Sequence, residues 1–217
     1  MASLIIVTGF EPFGGERINP SWEVARSLDG EVIEGLAVKA VRVPVNCVKA
    51  AARVIDAIER FRPRAFLGLG QAGGRPATSL ERVAINLFQR HNGGPLETRG
   101  DAHRLIERAP DAYFARFPLA AVLKALRRHR IPAAISLSAG AYACNAAMFA
   151  ALHGLRRRPA APAGFIHLPY DAAQAARHPA TPSMSLEMME RAVRLAIAII
   201  SRTADETGRR RSRRPPT

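Results

Sequence analysis

Cysteine is scarce in this sequence, which contains only Cys47 and Cys144 among its 217 residues. Two cysteines are too few for a disulfide framework or a cysteine-rich metal site, so the sequence predicts neither. An isolated cysteine is usually a small apolar core residue, and a reactive one is recognised by its surroundings. Whether either thiol carries chemistry is therefore the main question that the sequence raises.

Long apolar runs and aromatic side chains are also in short supply. No segment approaches the roughly 18 consecutive apolar residues that cross a bilayer. The opening residues, MASLIIVTGF, lack the basic start and the long apolar stretch of a signal peptide. We therefore predict a cytoplasmic protein without a membrane partner. Aromatic residues make up 6% of the chain against 48% for all hydrophobic residues, so aliphatic side chains and alanine must form much of the core.

Acidic residues are absent from the end of the chain, where residues 208–217 include five arginines. The net charge of the whole chain is +14. A basic tail can bind nucleic acid or anionic lipid, but this one has no aromatic side chain for stacking on bases. We predict one catalytic domain over residues 1–204 and a basic, disordered tail over residues 205–217. Nucleic-acid binding is kept as the less favoured alternative.

Local patterns alternate between strand and helix along the domain. Strand patterns lie at 4–10, 32–45, 65–74, 82–87, 133–140 and 164–170, and helical patterns at 19–28, 46–62, 118–130, 142–158 and 183–206. This alternation predicts an α/β fold with a mostly parallel central sheet and helices on both faces. In such folds ligands bind beyond the carboxyl ends of the strands.

Three glycine-containing loops follow predicted strands and are expected to meet at that end of the sheet: GFEPFGG, GLGQAGG and SAGAYAC. Cys144 closes the last of them, at the start of a predicted helix. The free amides and partial positive charge of a helix N-terminus favour a thiolate, so we expect a lowered pKa for Cys144. The same amides are able to stabilise an oxyanion. Cys47 also starts a helix, but no glycine turn precedes it, and we interpret it as a core residue.

A cysteine nucleophile needs a general base and a group that orients the base. Among six histidines, only His167 ends a short apolar strand, GFIH, beside the loops just described. The best candidate for orienting its imidazole is Glu81, a carboxylate flanked by apolar residues in SLERVAINL. Two alternatives stay open at this stage: His167 as a buried structural histidine, and Glu81 as the ion-pair partner of Arg82.

The chain resembles the pyroglutamyl peptidase type I family of cysteine peptidases in five motifs that occur in the family's order: VTGFEPFGGERINPSWEVARSL, GLGQAGGR, SLERVAINL, SAGAYACN and GFIHLPY. The resemblance extends from about residue 5 to about residue 200. It implies a cytosolic enzyme that removes an N-terminal pyroglutamyl residue from peptides. It also implies a three-layer α/β/α sandwich that assembles as a homotetramer and uses no metal or organic cofactor.

The resemblance also implies which residues act. It places the catalytic triad on Glu81, Cys144 and His167, the residues that the physical argument had already ranked first. It implies that Phe10 and Phe13, two aromatic residues of the GFEPFGG loop, bind the lactam ring of the substrate.

Further pocket residues come from the same resemblance, and two stretches depart from the family's pattern. Gln71 is expected to line the pocket, and Ala143, beside the nucleophile, is smaller than the family's usual valine and would loosen it. The stretch FQRHNGG lacks two acids of the pattern and carries Arg90 one position early, so we assign Arg90 no role. A related cysteine amidase with a different small lactam-like substrate is the alternative function.

Overall fold

The computed structural model describes residues 3–89 and 102–212, with the backbone alone for residue 102 and residues 204–212. Eleven strands and six helices occur in these ranges. In chain order they are β1 (Ser3–Phe10), α1 (Pro20–Ser27), β2 (Val32–Ile33), β3 (Leu36–Val43), α2 (Cys47–Phe61), β4 (Ala65–Gln71), β5 (Thr78–Glu81), β6 (Val83–Ile85), β7 (Phe88–Gln89), β8 (Ala102–His103), β9 (Ala112–Phe114), α3 (Leu119–Arg128), β10 (Ala133–Ser136), α4 (Ala143–Gly154), β11 (Ala163–Leu168), α5 (Ala172–Ala175) and α6 (Leu186–Ser212).

The central sheet has seven strands in the order β10-β5-β11-β4-β1-β3-β2. Its pairs are parallel except for β5 with β11 and β2 with β3. The predicted α/β fold with a mostly parallel sheet is therefore confirmed. Two-stranded pairs, β6 with β9 and β7 with β8, lie outside this sheet.

Helices cover both faces of the sheet and create two apolar cores. One core joins the sheet to α1, α3 and α6, and it includes Val24, Val122 and Ile197. The other joins the sheet to α2 and α4, and it includes Val54 and Met148. α1, α2 and α3 bury residues that recur at helical spacing, which is why one side of each faces the sheet, whereas α4 is buried nearly all round. No helix in the described ranges is long and apolar enough to cross a membrane.

The first two long helices begin at asparagine caps. Asn19 is extended, its side-chain oxygen accepts a hydrogen bond from the Ser21 amide, and Pro20 follows at the first helical position. The sequence predicts this start of α1, because proline lacks the amide that would remain unpaired there. In α2, the side chain of Asn46 accepts from the Lys49 amide.

Two parts of the sheet differ from the sequence pattern. Residues 32–45 were expected to form one strand, but they form the hairpin of β2 and β3, because Glu34 and Gly35 adopt positive φ angles of 47° and 80°. The strand expected at 82–87 is the short β6, and β5 precedes it without having been predicted. All four residues of β5 are buried, including polar ones, so period-two alternation is missing from that segment.

The last helix starts where the sequence predicts and ends later. The hydroxyl of Ser185 accepts from the Met188 amide at 3.2 Å, so Ser185 rather than Ser183 occupies the capping position. The backbone of residues 205–212 continues α6, where the sequence predicts a disordered tail. Arginine tolerates a helix, the single Gly208 weakens the helix without ending it, and the first proline comes only at position 215. Residues 213–217 lie outside the described residues.

Candidate active site

Cys144 is the second residue of α4, at the helix start that the sequence predicts. Before it, Gly140 adopts a φ of 78° and Tyr142 is extended, which turns the chain from the loop into the helix. In the described chain no side chain caps this N-terminus, so its first amides remain available to a ligand. The buried side chain of Asn145 accepts from the Ile85 amide and donates to the Ile85 and Leu87 carbonyls, which fixes the first turn of α4.

The sulfur of Cys144 lies directly over a glycine of β4. An ideal Cβ on Gly70 would lie 2.8 Å from Cys144 Sγ and 2.9 Å from the ring of Phe165, both closer than normal contact. Gly70 is also the cross-strand partner of His167. Because Gly70 has no side chain, the sulfur can lie directly against β4, next to the position of His167 on the paired strand β11.

His167 and Glu81 form a buried pair. His167 Nδ1 lies 2.7 Å from Glu81 Oε1, and the two residues are 4% and 0% exposed. Because an ionised carboxylate only accepts, Nδ1 carries the proton and donates to it, which leaves Nε2 as the basic nitrogen of a neutral imidazole. The ring of Phe165, two residues earlier on β11, lies 5.0 Å from the imidazole centroid to centroid and supports it.

The strand directions that produce this pair differ from the expectation. The loop SAGAYAC was predicted to leave the sheet at the same carboxyl edge as the other two loops. However, β5 and β10 are parallel to each other and run antiparallel to β11, with Leu80 opposite Ile166. The carboxyl end of β10 is consequently level with the middle of β11, and the loop carries the chain back to Cys144.

Glu81 has a second partner that sequence reasoning did not identify. Arg75 Nη1 donates to Glu81 Oε1 at 2.7 Å, and Arg75 Nη2 donates to the Ser138 carbonyl at 3.3 Å. The alternative pairing of Glu81 with Arg82 is wrong, because the Arg82 guanidinium lies over the ring of Phe114, 5.6 Å from its centroid. The only signal for Arg75 in the sequence is its place at the end of the glycine loop GLGQAGGR.

A cavity of about 400 Å³ opens onto the cysteine and the histidine. All four predicted pocket residues line it beside Cys144 and His167: Phe10, Phe13, Gln71 and Ala143. The lining includes four further residues that sequence reasoning did not place there: Asn19, Val45, Ala139 and Tyr142. Arg90 lies outside the described residues.

The cavity is mainly apolar, with few polar groups that a ligand can reach. Gln71 Oε1 accepts from Gln174 Nε2 at 3.0 Å, so the amide nitrogen of Gln71 is the part left to donate to a ligand. The side chain of Asn19 is already engaged, since it donates to the Glu11 carbonyl and accepts from Ser21. Phe10 is almost fully buried, whereas Phe13 is 41% exposed at the cavity wall. Such a site fits a compact, uncharged ring.

The pKa of Cys144 is shifted in the direction opposite to the expected one. Burial raises the pKa of the thiol to about 12, with the Glu81 carboxylate adding to the rise and Arg75 opposing it. The predicted lowering was wrong, because loss of water sets the direction of the shift and the nearby negative charge of Glu81 adds to it. Cys144 therefore rests as a thiol, and an attack by its sulfur would need a base.

The pKa shifts of its neighbours favour a neutral imidazole beside an ionised carboxylate. Burial lowers the pKa of His167, and Arg75 adds to the effect, against the opposing influence of Glu81. Burial alone would raise the pKa of Glu81, but His167, Ser136 and Arg75 outweigh it and hold that pKa below its usual value. At neutral pH the site thus holds a thiol, a neutral imidazole and a carboxylate.

A cysteine that shares a cavity with a neutral imidazole, itself oriented by a carboxylate, is an arrangement capable of nucleophilic acyl transfer. Within residues 3–89 and 102–212, no group of three or more histidine, cysteine or acidic side chains is arranged to hold a metal ion. The fold and the site together define a cysteine hydrolase built on an α/β sandwich.

A family comparison then gives the particular class. Residues 3–203 match the model of the family described as pyroglutamyl peptidase, and the chain belongs to that family. A pyrrolidone-carboxylate peptidase of Thermococcus kodakarensis is 44% identical over 197 residues, which are 90% of this chain and 95% of the relative. One of Klebsiella pneumoniae (strain 342) is 41% identical over 203 residues, or 91% and 92% of the two chains.

Solved structures agree with this assignment. Pyroglutamyl peptidase I of Bacillus amyloliquefaciens superposes with a TM-score of 0.83 at 31% identity, covering 92% of this chain and 97% of the other. The pyrrolidone carboxyl peptidase of Pyrococcus furiosus gives a TM-score of 0.84 at 35% identity, covering 93% and 99%. The resemblance seen in the five sequence motifs is confirmed.

Proposed function

We propose that this protein hydrolyses the bond after an N-terminal pyroglutamyl residue of peptides, with Cys144 as nucleophile, His167 as general base and Glu81 as the group that orients the base. Family membership supports the activity. The observation that carries the residue roles is that a cysteine over Gly70 and a Glu81-bound His167 line one apolar cavity.

The first step is acylation. Cys144 Sγ attacks the pyroglutamyl carbonyl carbon while its proton passes to His167 Nε2, giving a tetrahedral oxyanion and an imidazolium held by Glu81. The first amides of α4, including that of Cys144, stabilise the oxyanion. The imidazolium then donates its proton to the leaving amine as the carbon–nitrogen bond breaks, and a thioester remains.

The second step is deacylation. His167 takes a proton from water, and the resulting hydroxide adds to the thioester carbonyl carbon. The water occupies the place from which the leaving amine of the peptide has departed. Collapse of this intermediate breaks the carbon–sulfur bond, returns the proton to Cys144 and releases pyroglutamate. Both steps use the same base and the same oxyanion site, so one arrangement of side chains is sufficient.

Specificity follows from the lining of the cavity. Phe10 and Phe13 offer apolar surface to the lactam ring, and the amide nitrogen of Gln71 is able to donate to its carbonyl. An N-terminal glutamate or glutamine that has not cyclised would bring an ammonium group into this slot without a partner, and an unpaired buried charge is costly.

The test of the proposed function compares three anilide substrates: pyroglutamyl, prolyl and glutaminyl. We expect release from the pyroglutamyl anilide with kcat/KM at least about a hundredfold above the other two, because a site that hydrogen-bonds a ligand group rejects analogues that lack it. Thiol alkylation should block the release. Fast prolyl release without pyroglutamyl release would instead favour the related cysteine amidase, with Ala143 admitting a different ring.

The pH dependence of kcat/KM supplies a second test. His167 must be neutral to accept the thiol proton, so activity is lost as the pH falls through the pKa of His167. That pKa is held below its ordinary value of 6.5 by burial and by Arg75, and we expect the midpoint of the acidic limb below pH 6.5. A midpoint above that value would contradict a neutral resting imidazole.

Assembly, location and cofactor use rest on the family resemblance alone. We propose a homotetramer in the cytoplasm that works without a metal or an organic cofactor. We also keep residues 1–204 as the catalytic domain. Nucleic-acid contact by the basic tail remains the less favoured alternative, and salt-dependent binding measured with and without residues 209–217 distinguishes it.

A further inference from the structure

We infer that Arg75 is a positioning residue for the catalytic triad: it holds Glu81 in place and ties this acid to the loop that leads to Cys144. The inference rests on the proposed function, because it assigns Arg75 a part in the same reaction. Arg75 does not line the cavity and acts through Glu81.

The contact geometry shows one carboxylate oxygen shared by two donors. Arg75 Nη1 and His167 Nδ1 each lie 2.7 Å from Glu81 Oε1, while Oε2 has no hydrogen-bond partner in the described part of the chain. The Glu81 side chain is fully buried, whereas that of Arg75 is 34% exposed. Arg75 therefore reaches from the surface to a carboxylate that water does not reach.

The charge of Arg75 decides which proton arrangement is stable. A buried carboxylate needs a positive partner or it takes up a proton. If His167 were the only partner, it would have to supply that charge as imidazolium, and an imidazolium cannot accept the thiol proton. Because Arg75 already neutralises Glu81, the imidazole remains neutral and free to act as a base.

Few other ionisable groups act on this site. Within the described chain, Glu81 and Arg75 are the charged groups that influence His167, and the same two, together with Cys47, influence Cys144. The neighbouring hydroxyl of Ser136 also acts on Glu81. Among the described residues, removing Arg75 therefore removes the one positive charge, apart from the imidazolium itself, that acts on these groups.

Arg75 also joins Glu81 to the loop before the nucleophile. Its Nη2 donates to the Ser138 carbonyl at 3.3 Å, and the Ser138 hydroxyl accepts from the Gly140 amide at 3.1 Å. Gly140 makes the positive-φ turn that leads into α4. Through this chain of contacts, one guanidinium links the acid of the triad to the backbone that delivers the cysteine.

The experiment compares the acidic limb of kcat/KM in the wild-type enzyme and in Arg75→Gln. Loss of the positive charge raises the pKa of both His167 and Glu81, so we expect the limb to move to higher pH by on the order of one unit. In Arg75→Lys the charge is kept and the two-pronged contact is lost. This variant should retain the wild-type limb and lose part of kcat.

The matched control is Arg82→Gln. It removes the same charge from the residue next to Glu81, at a guanidinium that lies over Phe114 rather than on the triad. Its acidic limb should stay at the wild-type position. An equal shift in Arg82→Gln and Arg75→Gln would reduce the effect to overall charge and overturn the inference. So would a loss of thermal stability in Arg75→Gln with an unmoved limb, which indicates a purely structural role.

A direct measurement separates this inference from the proposed function. The imidazole pKa of His167 can be followed by NMR titration in the wild-type and Arg75→Gln proteins without any turnover. A higher His167 pKa in the variant supports the role of Arg75 even if no pyroglutamate is released. An unchanged pKa in an active enzyme overturns the inference and leaves the proposed function standing.

Discussion

Cys144→Ser should lower kcat for pyroglutamyl anilide hydrolysis by at least about a thousandfold while leaving the fold intact. A serine hydroxyl is a weaker nucleophile than a thiol, and its shorter bond to carbon moves the attacking atom away from the strand pair below it. The substitution removes little volume at a side chain that borders a cavity, so the melting temperature should change little. Steady-state kinetics and a thermal melt measure the two effects.

The matched control uses the other cysteine. Cys47 begins α2, is 6% exposed, and lies with its sulfur 3.8 Å from the Gln89 carbonyl oxygen. Burial raises its pKa, and it does not line the cavity. Cys47→Ser should therefore leave kcat within a few-fold of the wild type, at a stability cost of about 1 kcal/mol for placing a hydroxyl in the core. The reverse pattern, with Cys47→Ser inactive and Cys144→Ser active, would overturn the assignment of the nucleophile.

Glu81→Gln should lower kcat by about 10³- to 10⁴-fold, with a much smaller effect on KM. A carboxamide is uncharged, so even with its oxygen at the Oε1 position, where the carboxylate receives both Arg75 and His167, it binds the two donors more weakly. With its NH2 group at that position it would face His167 Nδ1, and the imidazole proton would move to Nε2, where the base must be free. The imidazolium formed during attack also loses its counter-charge.

A second glutamate controls for the loss of an acid elsewhere. Glu16 forms an ion pair with Arg177 and a hydrogen bond of 2.8 Å with His178 Nε2, and it does not line the cavity. Glu16→Gln should retain nearly full kcat. If Glu81→Gln stayed within tenfold of the wild type, His167 would not depend on Glu81 for its orientation, and the triad would reduce to a cysteine–histidine pair.

The local signals for the proposed nucleophile and the proposed base were readable from the sequence. Cys144 follows a glycine turn at a helix start, and His167 ends an apolar strand, and both features depend on neighbours along the chain. Glu81 could be named as a candidate but not assigned, since its flanking residues fit an ion pair with Arg82 equally well. Only the fold shows that Arg82 turns to Phe114.

The remaining features depend on contacts between distant segments. Arg75 belongs to a loop with no regular pattern, and its contact with Glu81 requires the turn that carries the chain into β5. The reversed direction of β5 and β10 is a property of strand pairing and leaves no trace in the apolar pattern of either strand. The pKa of Cys144 was predicted with the wrong sign for a similar reason, because a helix start is visible in a sequence, whereas the loss of water at the sulfur and the nearby Glu81 carboxylate are not.

The space above Gly70 makes this enzyme sensitive to an added side-chain carbon as well as to the loss of a reacting group. Alanine at position 70 would place a methyl carbon at 2.8 Å from the sulfur and against the Phe165 ring, with every reacting group still present. Most ways of inactivating an enzyme subtract a proton carrier, a charge or a nucleophile. Here a single extra carbon on an adjoining strand would occupy the place where the sulfur rests, so glycine is the residue that fits at position 70.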